Sequence, residues 1–450
     1  MQSRRDHLQA YQFSVGRLVR AVAIGDAGAG EVPFRRSNLG VQIGVVLGVL
    51  LSGGAVVFGL ISPAPSTAWR TNGAIVVEKE TGTRFLYLNG QLHPTANYAS
   101  ALLVAGQNSA VQYVPRAQLA GVPVGTTVGI SGAPDDVPTA NSLLPGTWAV
   151  CLRQNGKTVL DLDPAGRTAP GPQRQRVFVA STDPADPAEY VVWNSVKYPL
   201  PEQDVLPALG LGNQQPIPAD PVWLDQLPTG APIVPATISH LGDTGRQVAG
   251  QSADIGDLFS TSVGGTNQYY VLLSDGLAPI TATEAALFAV DGFATPAQVS
   301  PAAIGAVPTS ADHALISRLP DFLSGPVYNG AAALCALQSS PGTAASTQLV
   351  TESSATIAAD PAVVVPNGDG MLVEPPSAQS ANSGSGAAAD DFLITDNGVQ
   401  YRIDSTDAQS ALGYSSVNAH VLPASVLQLV PAGPTLDTSA AKQAVAWPAE

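Results

Sequence analysis

Along the first 24 residues apolar positions recur with a helical step. Between residues 37 and 66 polar residues nearly vanish, and beyond that the chain shows short two-residue alternations broken by turns. In "SRRDHLQAYQFSVGRLVRAV", Leu8, Tyr11, Val15, Leu18, Val19 and Val22 fall at steps of three and four, which predicts an amphipathic helix with those six on one side. Ser3 is placed to cap it, and Asp6 falls in the first turn, where a carboxylate is favoured. From Ser37 to Ser66 no residue is charged, and "LGVQIGVVLGVLLSGGAVVFGLI" (Leu39 to Ile61) predicts a transmembrane helix. At 1.5 Å per residue it would be about 35 Å long, enough to cross a hydrocarbon core of about 30 Å with some tilt. Gly40, Gly44 and Gly48 give it a small face for close helix packing.

The alternating remainder is punctuated by a recurring turn, beginning with "TRFLYLNGQLHP", in which Asn89-Gly90 separates two β-prone stretches. Asn194-Ser195, Asp275-Gly276 and Asn397-Gly398 repeat the move. From the second residue of each turn (Gly90, Ser195, Gly276, Gly398) the chain reaches a proline preceded by Val or Leu: Pro123, Pro228, Pro308 and Pro431. The distances are 33, 33, 32 and 33 residues. Pro115, Pro221, Pro301 or Pro423 stands seven or eight residues earlier, fit to open a helical turn. Between turn and first proline lie the helix-favouring patches "YASALLVAG", "DVLPALGLG", "EAALFAVDG" and "AQSALGYSS". Each unit therefore reads as a hairpin, a short helix across its back, and a proline-opened second helical turn. The steps between terminal prolines, 105, 80 and 123 residues, are too uneven for a solenoid, so the extra sequence must build a central sheet. "TWAVCLRQNGKTVLDL" and "GAAALCALQ" are its expected strands, with "VFVA" and "ATISHL" as further candidates.

The expected organisation is a cytoplasmic helix and linker (1–36), a transmembrane helix (37–62), repeat 1 (63–130), core strands (131–186), repeat 2 (187–232), a core segment (233–265), repeat 3 (266–310), a core segment with the second cysteine (311–374), a flexible connector (375–391), repeat 4 (392–433) and a tail (434–450). The fold class is thus membrane-anchored α+β, with an extracytoplasmic body of four hairpin/helix repeats around a β-rich core.

Charge supports the orientation. Residues 1–37 hold six Arg against three acids, while the sequence after the apolar run holds 14 basic and 32 acidic residues. Positive flanks stay in the cytoplasm, so the basic arm is expected inside and the body outside. A cleaved leader would have a short basic lead, whereas 36 residues precede this run. The arm's apolar face must then cover itself on anionic lipid or on a cytoplasmic partner protein. A net charge of −15 argues against nucleic acid. Cys151 and Cys335 are the chain's two cysteines, and in an oxidising compartment they imply one disulfide. Both follow a Gly-containing turn, one between repeats 1 and 2 and the other between 3 and 4, which hints at two related halves.

Catalytic motifs do not emerge. No G-x-S-x-G, H-E-x-x-H or EF-hand loop occurs, and His7, His93, His240, His313 and His420 are scattered. No catalytic residue, metal site or cofactor is expected. Gly156, Lys157 and Thr158 match the end of a phosphate-binding loop, but Cys151 stands where its first glycine should be, and Asn155-Gly156 reads better as a hairpin turn. Asp161 and Asp163, two apart on a strand, are expected on a solvated face.

"RRDHLQAYQFSVGRLVRAV", the "FRRS" before a single anchor, "WRTNGAIVVEKETGTRFLYLNGQLHPTANYASALL" and "GTWAVC" closely resemble the EccB family, a membrane-core component of actinobacterial type VII (ESX) secretion systems, over essentially the whole chain. The resemblance implies a periplasm-facing, disulfide-pinned body of four modules. It also implies self-pairing within a larger ring, and as partners the EccC motor ATPase, EccD, EccE and the mycosin protease. The family is sometimes called an ATPase, for which this chain lacks a complete phosphate loop. The expected function is a structural subunit scaffolding the outer side of the export channel; the alternatives are an ATPase or a cell-wall-binding repeat protein.

Overall fold

The computed structural model describes residues 4–25, 35–61, 67–106, 109–153, 157–290, 295–339, 346–352, 362–376 and 391–445. They fall into two compact units, residues 1–68 and 69–450. The first unit holds two helices, α1 (Arg4–Ile24) and α2 (Arg35–Ile61). Ser3 and most of the connector at 375–391 lie outside the described residues.

The second unit begins with module one: β1 (Ala74–Glu78), β2 (Arg84–Leu88), β3 (Gln91–Pro94), α3 (Tyr98–Ala105), β4 (Val111–Val114) and α4 (Arg116–Leu119). Three core strands follow, β5 (Trp148–Leu152), β6 (Thr158–Asp161) and β7 (Thr168–Pro170). Module two is β8 (Val177–Ser181), β9 (Glu189–Trp193), β10 (Val196–Leu200), β11 (Ile217–Ala219) and α5 (Pro221–Leu224). Module three is β12 (Leu258–Val263), β13 (Thr266–Leu272), β14 (Leu277–Ile280), α6 (Ala282–Val290), β15 (Ala297–Gln298) and α7 (Pro301–Gly305), followed by a linking helix, α8 (Ala314–Arg318). Then come core strands β16 (Ala333–Ser339), β17 (Ser346–Glu352) and β18 (Val363–Val364). Module four closes the chain with β19 (Gly370–Glu374), β20 (Asp391–Thr395), β21 (Gln400–Ile403), α9 (Thr406–Leu412), β22 (His420–Val421) and α10 (Ala424–Leu427).

Every module is a four-stranded sheet in which three antiparallel strands are joined by a fourth lying parallel to the first, as in the order β3-β2-β1-β4. The hairpin read from sequence is the second and third strands; the first strand and the parallel one extend it. Module two departs from the helix expected over "DVLPALGLG": only a 3-10 turn forms at Gln203–Val205. Pro207 has no N–H to donate, and its ring opposes the carbonyl four residues back. "VFVA" is β8 of module two rather than a central strand, and "ATISHL" forms no strand.

The turns differ in kind. Asn89 and Gly90 (φ 49° and 84°), like Asn194 and Ser195 (48° and 68°), have the paired positive φ of a type I′ turn. In module three the two-residue loop is Ser274-Asp275, closed by hydrogen bonds between Leu273 and Gly276. Module four has a three-residue loop ending in left-handed Gly398 (φ 71°) and closed by Thr395 N–H on the Val399 carbonyl, 3.2 Å.

One hydrogen bond explains the period. The carbonyls of Pro123, Pro228, Pro308 and Pro431 accept the N–H groups of Leu92, Lys197, Leu277 and Gln400 at 2.8–2.9 Å, and each pair is 31 residues apart. The 32-residue spacing of repeat 3 reflects only its different turn. Two residues past the proline, Gly125, Gly230 and Gly433 lie against the His93, Tyr198 and Tyr401 rings, where a Cβ would clash. Module three has Ser310 at that place and the small Ala278 opposite, so its volumes are exchanged.

The central sheet runs β18-β6-β5-β16-β17-β7. One face, with Trp148, Val150, Leu160, Leu334 and Ala336, is covered by modules two and four through Trp223, Leu227, Val426 and Val430. Trp223 Nε1 donates to the Leu334 carbonyl at 2.9 Å. Modules one and four pack through α3 and α9, and modules two and three through the Gln203–Val205 turn and α6. Leu143 bridges Gly370 at the start of module four, and Val327 bridges Arg176 at the start of module two. These correspondences define two intertwined halves: module one, β5–β6 and module two answer to module three, β16–β17 and module four. Each half also lends a strand to the other, β7 pairing with β17 and β18 with β6.

Candidate functional site

Two places carry what chemistry and recognition the described residues offer: the helical unit and the centre of the six-stranded sheet. On α1, Leu8, Tyr11, Val15, Leu18, Val19 and Val22 all stand exposed. At 100° per residue they occupy an arc of roughly 100°, the width of a docking stripe. Phe13, also exposed, lies on the opposite side and escapes a sequence reading because it breaks the three-and-four rhythm. In α2, Leu39–Val57 is 19 residues of mean hydropathy 2.0 with none buried, long and apolar enough to cross a membrane.

At the sheet centre Cys151 and Cys335 lie directly opposite each other on β5 and β16 and form the disulfide. The halves thus meet in a bond between equivalent positions. Two residues beyond the strand partners of these cysteines (Val159 and Val350) stand Asp161 and Glu352, a second pair of equivalents. All four side chains share the face opposite modules two and four, lined by Ala149, Val159, Ala333 and Val350. Asp161 and Glu352 come within reach of each other across the diagonal of this face. Asp161, expected on a solvated face, is 1% exposed and Glu352 2%. The correction has a plain cause: its partner comes from the other half of the chain.

Arg167 binds both acids, with Nη2 on Asp161 and Nε 3.6 Å from Glu352 Oε1. Asp163 N–H donates to Asp161 Oδ1 at 2.9 Å. Burial raises the Asp161 carboxyl above its ordinary value, while the Asp163 N–H and Arg167 hold it back. Burial, and then the charge of Asp161, push Glu352 up to about 7. The two carboxyls are coupled, the charge of Asp161 disfavouring that of Glu352. Glu352 Oε2 sits 3.5 Å from Cys151 Sγ and 3.7 Å from Cys335 Sγ. Such a cluster has the spacing of metal donors, but sulfurs bonded to each other offer no thiolate.

Of the phosphate-loop candidates, Gly156 lies outside the described residues. Lys157 and Thr158 run straight into β6, with Arg153 N–H on the Lys157 carbonyl at 3.0 Å and Thr158 opposite Leu152. A phosphate loop instead leads from a strand into a helix N-terminus. Lys197 is also occupied: its ammonium donates to the Leu224 carbonyl at 2.7 Å, closing the end of α5 as the Gln400 amide closes α10 on Leu427.

Comparison with known proteins agrees over the full length. The family model "Type VII secretion system ESX-1, transport TM domain B" matches residues 1–447. A Mycolicibacterium smegmatis protein named "ESX-3 secretion system ATPase EccB3" is 27% identical, over 96% of this chain and 89% of its own length. A Mycobacterium tuberculosis protein of the same name is 26% identical, over 96% and 88%. Among solved structures, a chain of an intact ESX-5 inner membrane complex superposes with a TM-score of 0.60 at 22% identity, covering 100% of this chain and 97% of that one. The EccB3 dimer from the ESX-3 core complex gives 0.58 at 27% identity, covering 82% and 100%. Helical arm, apolar helix, four modules and bridged central sheet lie within a single family match, and the chain belongs to the EccB family of type VII secretion systems.

Proposed function

We propose that this chain is a structural, non-catalytic subunit of a type VII secretion membrane complex. In this reading α2 anchors it in the cytoplasmic membrane, α1 lies on the cytoplasmic side and the four-module body stands outside. The six Arg before and within the start of α2, against the acidic body, support that orientation. One observation carries the assembly role: α1 presents a stripe of six exposed apolar residues. The fitting occupants are the cytoplasmic parts of an EccC motor ATPase, EccD or EccE, with lipid headgroups beneath the basic side. The body would pair with a second copy inside a larger ring, beside a mycosin protease.

Deleting residues 1–22 tests this. The motor subunit should no longer co-purify while the body keeps its melting temperature; unchanged co-purification refutes the docking role. The relatives' name favours a second reading, an ATPase. Phosphate release from ATP that disappears in Lys157→Ala would establish it. The hairpin setting of Lys157 supports the opposite result.

A further inference from the structure

Residues 163–167 link β6, on one side of the central hairpins, to β7, paired beyond β17 on the other. The link crosses the face that holds the disulfide, because Arg167 reaches Asp161 and Glu352, whose side chains share that face with both sulfurs. The acid pair is therefore layered between the bond and the crossing chain. We propose that residues 163–167 form a strap, latched through Arg167 onto Asp161 and Glu352, that bars thiol reductants from the Cys151–Cys335 bond. Arg167 and Asp163 are charged groups that act on the acid pair.

Two effects combine. The strap with the arginine stem excludes the reductant sterically, since in-line attack on a sulfur needs open space behind it. Above about pH 7, where Glu352 is ionised, its carboxylate 3.5–3.7 Å from both sulfurs repels an approaching thiolate and disfavours the thiolate that must leave. The step guarded against is ordinary exchange with a dithiol. A reductant thiolate attacks one cysteine sulfur, the bond between the cysteines breaks, and the other cysteine departs as thiolate. The second reductant thiol then displaces the first cysteine, leaving two protein thiols and an oxidised, cyclised reductant.

The test is the rate of reduction by dithiothreitol of the full chain in detergent, with new thiols trapped by a maleimide mass tag. Arg167→Met should be reduced about tenfold faster than the parent, because local opening replaces global unfolding as the route. Arg318→Ala, which removes an ion pair in module three far from the strap in sequence, controls for general loosening: it should speed reduction only through global unfolding, so its rate should rise steeply with low urea, whereas that of Arg167→Met should hardly respond. Arg167→Lys retains the charge without the two-armed grip and should fall between, serving also if the Met variant does not fold. A cationic thiol, cysteamine, should outpace the anionic mercaptoethanesulfonate on the parent, and Glu352→Gln should narrow that gap. Equal rates for the parent and both Arg167 variants overturn the proposal, as does a reduction rate of Arg167→Met that rises with low urea as steeply as that of Arg318→Ala.

Discussion

Replacing Glu352 by Gln should abolish a pH dependence of stability that the buried acid pair builds into the body. In the folded chain Glu352 titrates at about 7, against an ordinary value of 4.5. A carboxyl raised in this way makes the folded state hold a proton that the unfolded chain has released. Its stabilising contribution is therefore complete below about pH 4.5 and is lost as pH climbs towards 7. Each pH unit across that window is worth about 1.4 kcal/mol, so the loss over the two and a half units is about 3.5 kcal/mol, on the order of 3–7 °C in melting temperature for a body of this size. The amide introduced by Glu352→Gln can still donate to Asp161 and has no charge to bury. The variant should match the parent at pH 4.5 and melt higher at pH 8, with a flatter slope between. Thermal unfolding of the full chain in detergent, followed by near-ultraviolet circular dichroism from pH 4.5 to 8.5, measures this. Parallel slopes, or a variant less stable than the parent at pH 8, would refute the reasoning.

Arg318→Ala should be strongly destabilising, by about 3–5 kcal/mol, because fully buried Glu284 loses its two-armed partner at 2.8 and 2.9 Å; the melting temperature reports it. Replacing both Cys151 and Cys335 by Ala removes a bond that closes a loop of 184 residues, for which chain entropy sets an upper cost of about 5 kcal/mol. That variant should melt lower yet still co-purify with the same partners. Gly276→Ala should cost about 2 kcal/mol or more, since φ is 155° and the new Cβ meets the Pro308 carbonyl. Ser310→Gly should lower the melting temperature through its lost side-chain hydrogen bonds to the Asp312 N–H and to Asp275, whereas Gly433→Ala should lower it by driving a Cβ against the Tyr401 ring.

Legibility in the sequence follows locality. The apolar run of α2 and the rhythm of α1 are properties of consecutive residues and are plain. The modules are visible because a turn and a proline, two strongly punctuated features, are tied by one hydrogen bond at a fixed separation. The first strand of each module carries no such mark, and "VFVA" reads as a buried strand without saying which sheet buries it. Asp161 misleads for the same reason: the partners that bury it, Glu352 and the apolar face around the disulfide, are brought together only by tertiary pairing.

The uneven steps between repeats contain the architecture that regular spacing would have hidden. The 80-residue step joins modules two and three, and among the described residues it carries no strand of the central sheet. The steps of 105 and 123 residues each enclose a core hairpin, β5–β6 in the first and β16–β17 in the second. Long, short, long is the signature of a duplicated half in which two modules flank a hairpin. Neither half closes its own sheet, because the edge strand of each is donated by the other. A chain built this way cannot release one half without unpairing the other. The disulfide joins equivalent strands at the point where such a separation would begin, and the acid pair and its arginine lie over that same point.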